Sequence, residues 1–147
     1  MKSVAIGCDP NASDLKEVLK NHMTTLGYSC EDYGSKDPIY ANVAIAVAEA
    51  VASGKHQRGI LLCGTGIGVC LAANKVKGAY AATCSDPYST ERSILSNNCN
   101  IMTMGSQVVG AEVAKKLVEI WLQAEYVPGG LSEPKMQRIY DYAGEKQ

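Results

Sequence analysis

The sequence predicts a parallel α/β sheet with right-handed helical crossovers. Three observations predict it. Five short apolar or β-branched runs, at residues 4–8, 28–32, 59–63, 79–84 and 101–104, alternate with longer stretches whose apolar residues recur at helical spacing. The third run, Gly59-Ile60-Leu61-Leu62-Cys63, is apolar without alternation, as a strand covered on both faces requires. The 147 residues suit one domain, with 46% hydrophobic and 20% charged residues, as in globular chains.

The elements follow in order. Val4-Ala5-Ile6-Gly7-Cys8 opens the sheet. From Ser13, residues Leu15, Val18, Leu19, His22 and Leu26 recur at helical spacing and Gly27 stops the helix. His22 on this stripe reads as a core-flanking residue. After the second run, Val43, Val47, Ala50 and Val51 form a second stripe that ends near Gly54. The polar turn Gly54-Lys55-His56-Gln57 is expected to leave His56 in solvent. A short helix should follow Gly68, another should start near Pro87, and Val113, Leu117, Ile120, Trp121 and Ala124 form a third stripe. Tyr126-Val127-Pro128-Gly129-Gly130 then breaks the pattern. A last helix is expected from Glu133 to Ala143, with Pro134 in its first turn and Met136, Ile139 and Tyr140 on one narrow face. The chain therefore divides into a domain, 1–126, and a tail helix, 127–147. Such a helix packs on another subunit or folds back on its own domain.

Composition removes several function classes. Lys+Arg total 14 against 15 Asp+Glu, a net charge of −1, which argues against a nucleic-acid partner but not against a small anionic ligand. No apolar run reaches the roughly 18 residues a membrane span needs, and the apolar stretch at the start is too short for a signal peptide. A cytoplasmic protein is expected. Cysteines at 8, 30, 63, 70, 84 and 99 form no CxxC pair, and His22 and His56 are isolated, so neither a metal site nor a disulfide framework is expected. Apart from Cys63, they read as reduced cysteines acting as small hydrophobes.

In open α/β sheets ligands bind outside the carboxyl ends of the strands. That rule points to Asp9, to Cys63 and the residues after it, to Ser85-Asp86, and to the stretch around Asn97. The most informative segment is Cys63-Gly64-Thr65-Gly66-Ile67-Gly68, three alternate glycines between a buried strand and a helix. Glycine lets the backbone turn sharply and lets a ligand approach the amides. Amides at such a turn stabilise negative charge and favour the thiolate of a cysteine held among them. Cys63 is thus a base or nucleophile and the loop an oxyanion cradle; otherwise this is a tight turn with a structural cysteine. No P-loop pattern occurs. The third glycine of a dinucleotide fingerprint is replaced by Val69, although Asp86 lies about where a ribose-binding acid would.

Gly7-Cys8-Asp9, Cys63-Gly64-Thr65-Gly66-Ile67-Gly68, Ala72-Ala73-Asn74-Lys75, Cys84-Ser85-Asp86-Pro87-Tyr88-Ser89 and Gly105-Ser106-Gln107-Val108-Val109-Gly110 fall in that order. Together they resemble the ribose-5-phosphate isomerase B family, which includes the galactose-6-phosphate isomerases, over nearly the whole chain. The resemblance implies a Rossmann-like three-layer sandwich with a five-stranded parallel sheet. It also implies a homodimer or dimer of dimers with active sites at the subunit interface, the tail helix packing on a partner. The implied activity is interconversion of an aldose phosphate and a ketose phosphate through a cis-enediolate, without metal or redox cofactor. Cys63 would move the proton between C1 and C2. Gly64, Gly66 and Gly68 would hold the enediolate oxygen, with Thr65 lining the pocket. Asn97 would bind the oxygen at the reacting end, Asp9 the sugar hydroxyls, and basic residues of the C-terminal segment the phosphate.

The chain departs from the family at telling places. Pro10 and Ser96 stand where many members carry histidines associated with opening a furanose ring; in their absence Ser96, as a substrate-binding residue, or a bound water would open the ring at lower efficiency. Gln107 replaces a common arginine, and Gly129-Gly130-Leu131-Ser132 replaces a Gly-Gly-Arg-His segment. Lys135 and Arg138, on one helical face, become the expected phosphate ligands; on an exposed helix they would simply be solvated. Arg92 is a further candidate that no family motif supports. The loop before Pro38 is short and lacks a tyrosine usual there. Ribose 5-phosphate is the default substrate. A tetrose 4-phosphate, which cannot form a furanose because its O4 carries the phosphate, is the alternative, with a hexose 6-phosphate also open. A nucleotide-binding module and a non-catalytic sugar-phosphate sensor are the readings outside this class.

Overall fold

The computed structural model describes residues 2–145. Met1 and the last two residues of the tail segment, 146 and 147, lie outside the described residues. Five strands, β1 (Ser3–Cys8), β2 (Ser29–Asp32), β3 (Arg58–Cys63), β4 (Ala81–Thr83) and β5 (Ile101–Gly105), form one parallel sheet in the order β2-β1-β3-β5-β4. The helices are α1 (Ser13–Thr25), α2 (Tyr40–Ala52), α3 (Ile67–Ala73), α4 (Pro87–Leu95), α5 (Ala111–Gln123) and α6 (Glu133–Ala143).

Strand side chains alternate between two faces, and each face has its own core. Val4, Ile6, Ile60, Leu62, Met102 and Met104 pack with Leu19 and Met23 of α1, Ile94 of α4, and Leu117 and Trp121 of α5. Ala5, Leu61, Cys63 and Ile101 pack with Val47 and Ala48 of α2 and Val69 and Ala73 of α3. The result is the Rossmann-like three-layer sandwich with five parallel strands. It also explains the unbroken apolar run at 59–63: β3 is the central strand, and both its faces are covered.

Some elements differ from the sequence reading. The run 79–84 yields a strand of only three residues, because the Ala79 amide is taken by Val76 O and the Tyr80 amide by the Asn100 side chain. A 3₁₀ turn, Pro10–Ala12, precedes α1, capped by Asp9. His56 is not solvated: it is 4% exposed, with Nδ1 2.7 Å from Ser3 Oγ and Nε2 2.9 Å from Glu31 Oε2, so it ties the α2–β3 turn to β1 and β2. His22 flanks the core and meets Glu119 of α5 at 2.8 Å. The six cysteines are unpaired; Cys8, Cys63 and Cys84 are buried and the other three half-buried. Burial pushes the Cys8 thiol up to about 11 and the Cys99 thiol to about 12.

Helix α6 lies against its own chain through Met136 and Tyr140, whose ring meets Tyr80 edge-on with centroids 5.3 Å apart. Glu145 accepts from the Gly78 amide at 3.2 Å and from the Tyr80 hydroxyl. Lys135, Arg138, Ile139 and Tyr142 remain on the exposed side of the helix.

At the β2 edge, buried Lys16 and half-buried Lys20 both hold Asp32, at 2.9 and 2.8 Å. Desolvation pushes the Asp32 carboxyl up, but hydrogen bonds from Lys20, Lys16 and the Gly34 amide outweigh it and hold it at about 2. Hydrogen bonds from Lys55 and His56 likewise hold Glu31 at about 2. Both folded values lie below the ordinary 3.8 and 4.5, so the ionised forms stabilise the fold above those values. That stabilisation is lost as pH falls through about 2. Urea unfolding followed by circular dichroism is expected to show the unfolding free energy declining below pH 4.5. Lys16→Met should flatten that decline; an unchanged slope would remove Lys16 from the account.

Candidate active site

The chain leaves β1 outward to β2 and then crosses back to β3 on the other side of β1. The carboxyl ends of β1 and β3 therefore flank the reversal point, where a crevice opens in sheets of this kind. Cys63 is the last residue of β3 and Asp9 follows β1, its amide bonded to Leu62 O at 2.9 Å. The Asp9 carboxylate accepts from the Asn11 amide at 3.1 Å. Asp9 and Cys63 thus lie at adjacent strand tips.

The glycine turn is shaped by close backbone approach. Gly66 has φ +82°, and a Cβ there would come within 2.8 Å of the Met104 carbonyl carbon. A Cβ on Gly105 would meet Thr65 C at 2.5 Å, so the end of β5 presses directly on the turn. The Ser106 amide donates to Cys63 O at 2.8 Å and the Gln107 amide to Gly64 O at 3.1 Å. Gly66 O accepts from Thr103 Oγ1 at 2.7 Å and Thr83 Oγ1 at 3.2 Å. Inside this frame the Gly66 amide donates to Cys63 Sγ at 3.1 Å, a bond a thiolate accepts more strongly than a thiol. Cys63 is 6% exposed: held by the turn, yet not sealed from solvent. Thr65 is exposed, its Oγ1 accepting from the Ile67 amide at 3.2 Å.

Three neighbours of this turn escape sequence reading. The Tyr40 side chain covers Gly68 so closely that a Cβ there would collide with its ring and hydroxyl. Asn11 Nδ2 and Gln107 Nε2 face Gly64, 3.2 and 3.9 Å from where its Cβ would stand. Gln107 was visible only as a departure; the polar step after Asp9 was the one available signal for Asn11.

The predicted residues fall into two groups. Asp9, Cys63, Gly64, Thr65, Gly66 and Gly68 converge. Ser96, Asn97, Lys135 and Arg138 do not join them. The stretch around Asn97 was expected at the carboxyl ends, but α4 runs back across the sheet and leaves Asn97 before β5. Gly59 pairs with Ile101 and bonds Asn100 O, whereas Cys63 pairs with Gly105. Four residue steps at roughly 3.3 Å each separate those levels by about 13 Å. Asn97 Nδ2 instead lies 3.4 Å from Met136 Sδ of α6, between Lys135 and Arg138 in sequence. Ser96 Oγ accepts from Arg92 Nε at 2.7 Å. Asp86 is a helix cap rather than a ribose ligand: it accepts from the Ser89 amide at 2.7 Å, which holds its carboxyl below the usual range. Among the described residues no group of three or more His, Cys, Asp or Glu is arranged to hold a metal ion. No helix of the described residues is long and apolar enough to cross a membrane.

A parallel sheet with a thiol-bearing glycine turn at its reversal point has the architecture of a Rossmann-like α/β enzyme. The sequence profile of the family described as Ribose/Galactose Isomerase matches residues 4–139, and the chain belongs to that family of sugar-phosphate isomerases. It is 47% identical over 146 residues to D-erythrulose-4-phosphate isomerase of Pectobacterium atrosepticum, covering 97% of this chain and 95% of that protein. It is 42% identical over 142 residues to ribose-5-phosphate isomerase B of Escherichia coli, covering 95% of each. The solved ribose-5-phosphate isomerase B of Clostridium thermocellum superposes with a TM-score of 0.91 at 36% identity, covering 97% of each chain.

Proposed function

We propose that this isomerase moves a proton between C1 and C2 of a sugar phosphate with Cys63 as the base, through a cis-enediolate. One observation carries the proposal. Cys63 Sγ sits at the reversal point of the sheet, bonded by the Gly66 amide at 3.1 Å, on a turn whose glycines let β5 and the Tyr40 side chain press against its backbone and hold it in place. A proton alpha to a carbonyl is weakly acidic, so its removal needs a positioned base and donors ready for the enediolate oxygen. Cys63 supplies the first and the turn at residues 64–68 the second. The proton returns to the neighbouring carbon, so the step consumes no oxidant or reductant. Asp9 binds sugar hydroxyls, Thr65 lines the pocket, Asn97 binds the oxygen at the reacting end, and Lys135 and Arg138 bind phosphate.

These groups sit at opposite ends of one chain's sheet, so a complete site needs two subunits. Exposed Ile67 and Leu71, one turn apart on α3, and exposed Tyr88 on α4 supply apolar surface beside the glycine turn for a partner to cover. The outer face of α6 carries its cations to that partner. A homodimer or dimer of dimers follows. Six unpaired cysteines suit a reducing cytoplasm.

Ribose 5-phosphate with ribulose 5-phosphate is the first reading of the substrate, and it is the substrate in the name of the Escherichia coli relative. A second reading, a tetrose 4-phosphate, is favoured by positions 10 and 96. Pro10 has no side-chain acid or base. The Ser96 hydroxyl accepts from Arg92 Nε and, unlike an imidazole, does not take up and return a proton near neutral pH, so neither position carries a histidine of the kind associated with ring opening. The Pectobacterium relative is named for a four-carbon substrate. Measuring kcat/KM for ribulose 5-phosphate and erythrulose 4-phosphate decides between them. The second reading expects at least about a tenfold preference for the tetrose, and a strong pentose preference returns the first; no turnover of any aldose or ketose phosphate would overturn the proposal itself.

A further inference from the structure

A groove of about 450 Å³ runs along the exposed edge of β4, between α4 and α6. Its walls carry Tyr88, Ser89, Arg92, Asn97 and Met136. Among the described residues, Arg92 is the only charged one on its lining. That cation is in an unusual position. Among the described residues, the other buried or half-buried cations all have a carboxylate or carbonyl partner. Lys16 and Lys20 hold Asp32, Lys115 holds Glu112, and Arg58 donates to Trp121 O and Ala124 O. Half-buried Arg92 has neither, and its Nε is spent on the neutral Ser96 hydroxyl. On its other side Arg92 borders the 126–133 turn, where Glu133 Oε2 accepts from the Gly129 amide and the carboxylate makes no ion pair with Arg92.

A half-buried guanidinium has lost part of its hydration, and an anion in the groove would replace what it has lost. With Nε tethered, the Nη nitrogens are left as a fork suited to phosphate oxygens. Ser89 lies one turn before Arg92 on α4, and Asn97 is the second residue beyond the helix.

We propose that Arg92, positioned by Ser96, is a phosphate ligand of the substrate and selects for a short sugar. This rests on the reading that Asn97 holds the reacting end. A guanidinium anchored next to Asn97 shortens the reach between that end and the phosphate. It suits a four-carbon substrate better than a five-carbon one. Ser96 is then a positioning residue for the cation rather than a weak stand-in for an acid, and Arg92 supplies charge that Gln107 does not.

The test compares wild type with Arg92→Gln and Ser96→Ala, using erythrulose 4-phosphate, ribulose 5-phosphate and inorganic phosphate. Loss of one charge-assisted contact should raise KM for erythrulose 4-phosphate about 10–100-fold in Arg92→Gln, with a smaller change in kcat. Inhibition by inorganic phosphate should weaken by a similar factor. Ser96→Ala should give the same pattern at smaller amplitude, and the KM penalty should be lower for ribulose 5-phosphate. Unchanged KM and phosphate inhibition in Arg92→Gln would overturn the assignment; a Ser96→Ala variant that lowers kcat alone would overturn the positioning role. Should the wild type turn over no sugar phosphate, calorimetric phosphate binding still reads Arg92 directly, and equal affinity in wild type and Arg92→Gln would reject it.

Discussion

Cys63→Ala is expected to lower kcat by at least about 10²–10⁴-fold, the range contributed by a positioned acid–base group, and to leave the fold standing. The sulfur is the acid–base group that ends β3, and alanine cannot replace it. The packing loss is small, because Sγ is one atom beside Val69 and Ala73 and the Gly66 amide is its hydrogen-bond partner. Circular dichroism and Tm should therefore stay near wild type while a coupled isomerase assay loses its signal. Retained turnover would remove Cys63 from the mechanism. Lost turnover with a collapsed Tm would show that the residue is structural.

Gly66→Ala is expected to damage both stability and turnover. An L-residue held at φ +82° costs about 1–2 kcal/mol, and the new Cβ meets Met104 backbone at 2.8 Å, which cannot yield as a flexible side chain would. Overpacking of this kind adds about 1–3 kcal/mol, so a total of roughly 2–5 kcal/mol should appear in urea unfolding. The turn must shift to admit the methyl group, which moves the amide facing Cys63 Sγ, and kcat falls with it. Gly129→Ala is the control: its φ is +93°, but nothing lies within 4 Å of the added carbon. It should cost about 1–2 kcal/mol. Equal destabilisation by the two variants would show that close approach to β5 contributes nothing.

Much of the fold was legible because it follows from local rules. Buried β3 announced itself as an apolar run without alternation, and α6 as a proline-started helix with a narrow apolar face, matching Glu133–Ala143 residue for residue. The Cys63 turn was legible because alternate glycines between a strand and a helix have few structural uses. Less of the site was legible. Tyr40 reaches Gly68 from another element, and nothing in its neighbourhood in sequence marks that contact. His56 looked like part of a polar turn, yet hydrogen bonds to Ser3 and Glu31 bury it. Those partners belong to strands that become neighbours only in the sheet.

The sequence by itself determined the family, through the resemblance its ordered motifs carry, and it determined the order of strands and helices and the thiol on its glycine turn, because periodicity, capping and backbone freedom act over a few residues. Only the tertiary structure decided that Ser96, Asn97 and the tail-helix cations stand at the far end of the sheet from Cys63, with Arg92 half-buried and without a counter-charge. The reason is directional. Every crossover in a parallel sheet carries the chain back to the strands' amino ends, so residues just before a strand are separated from residues just after one by the strand's full length.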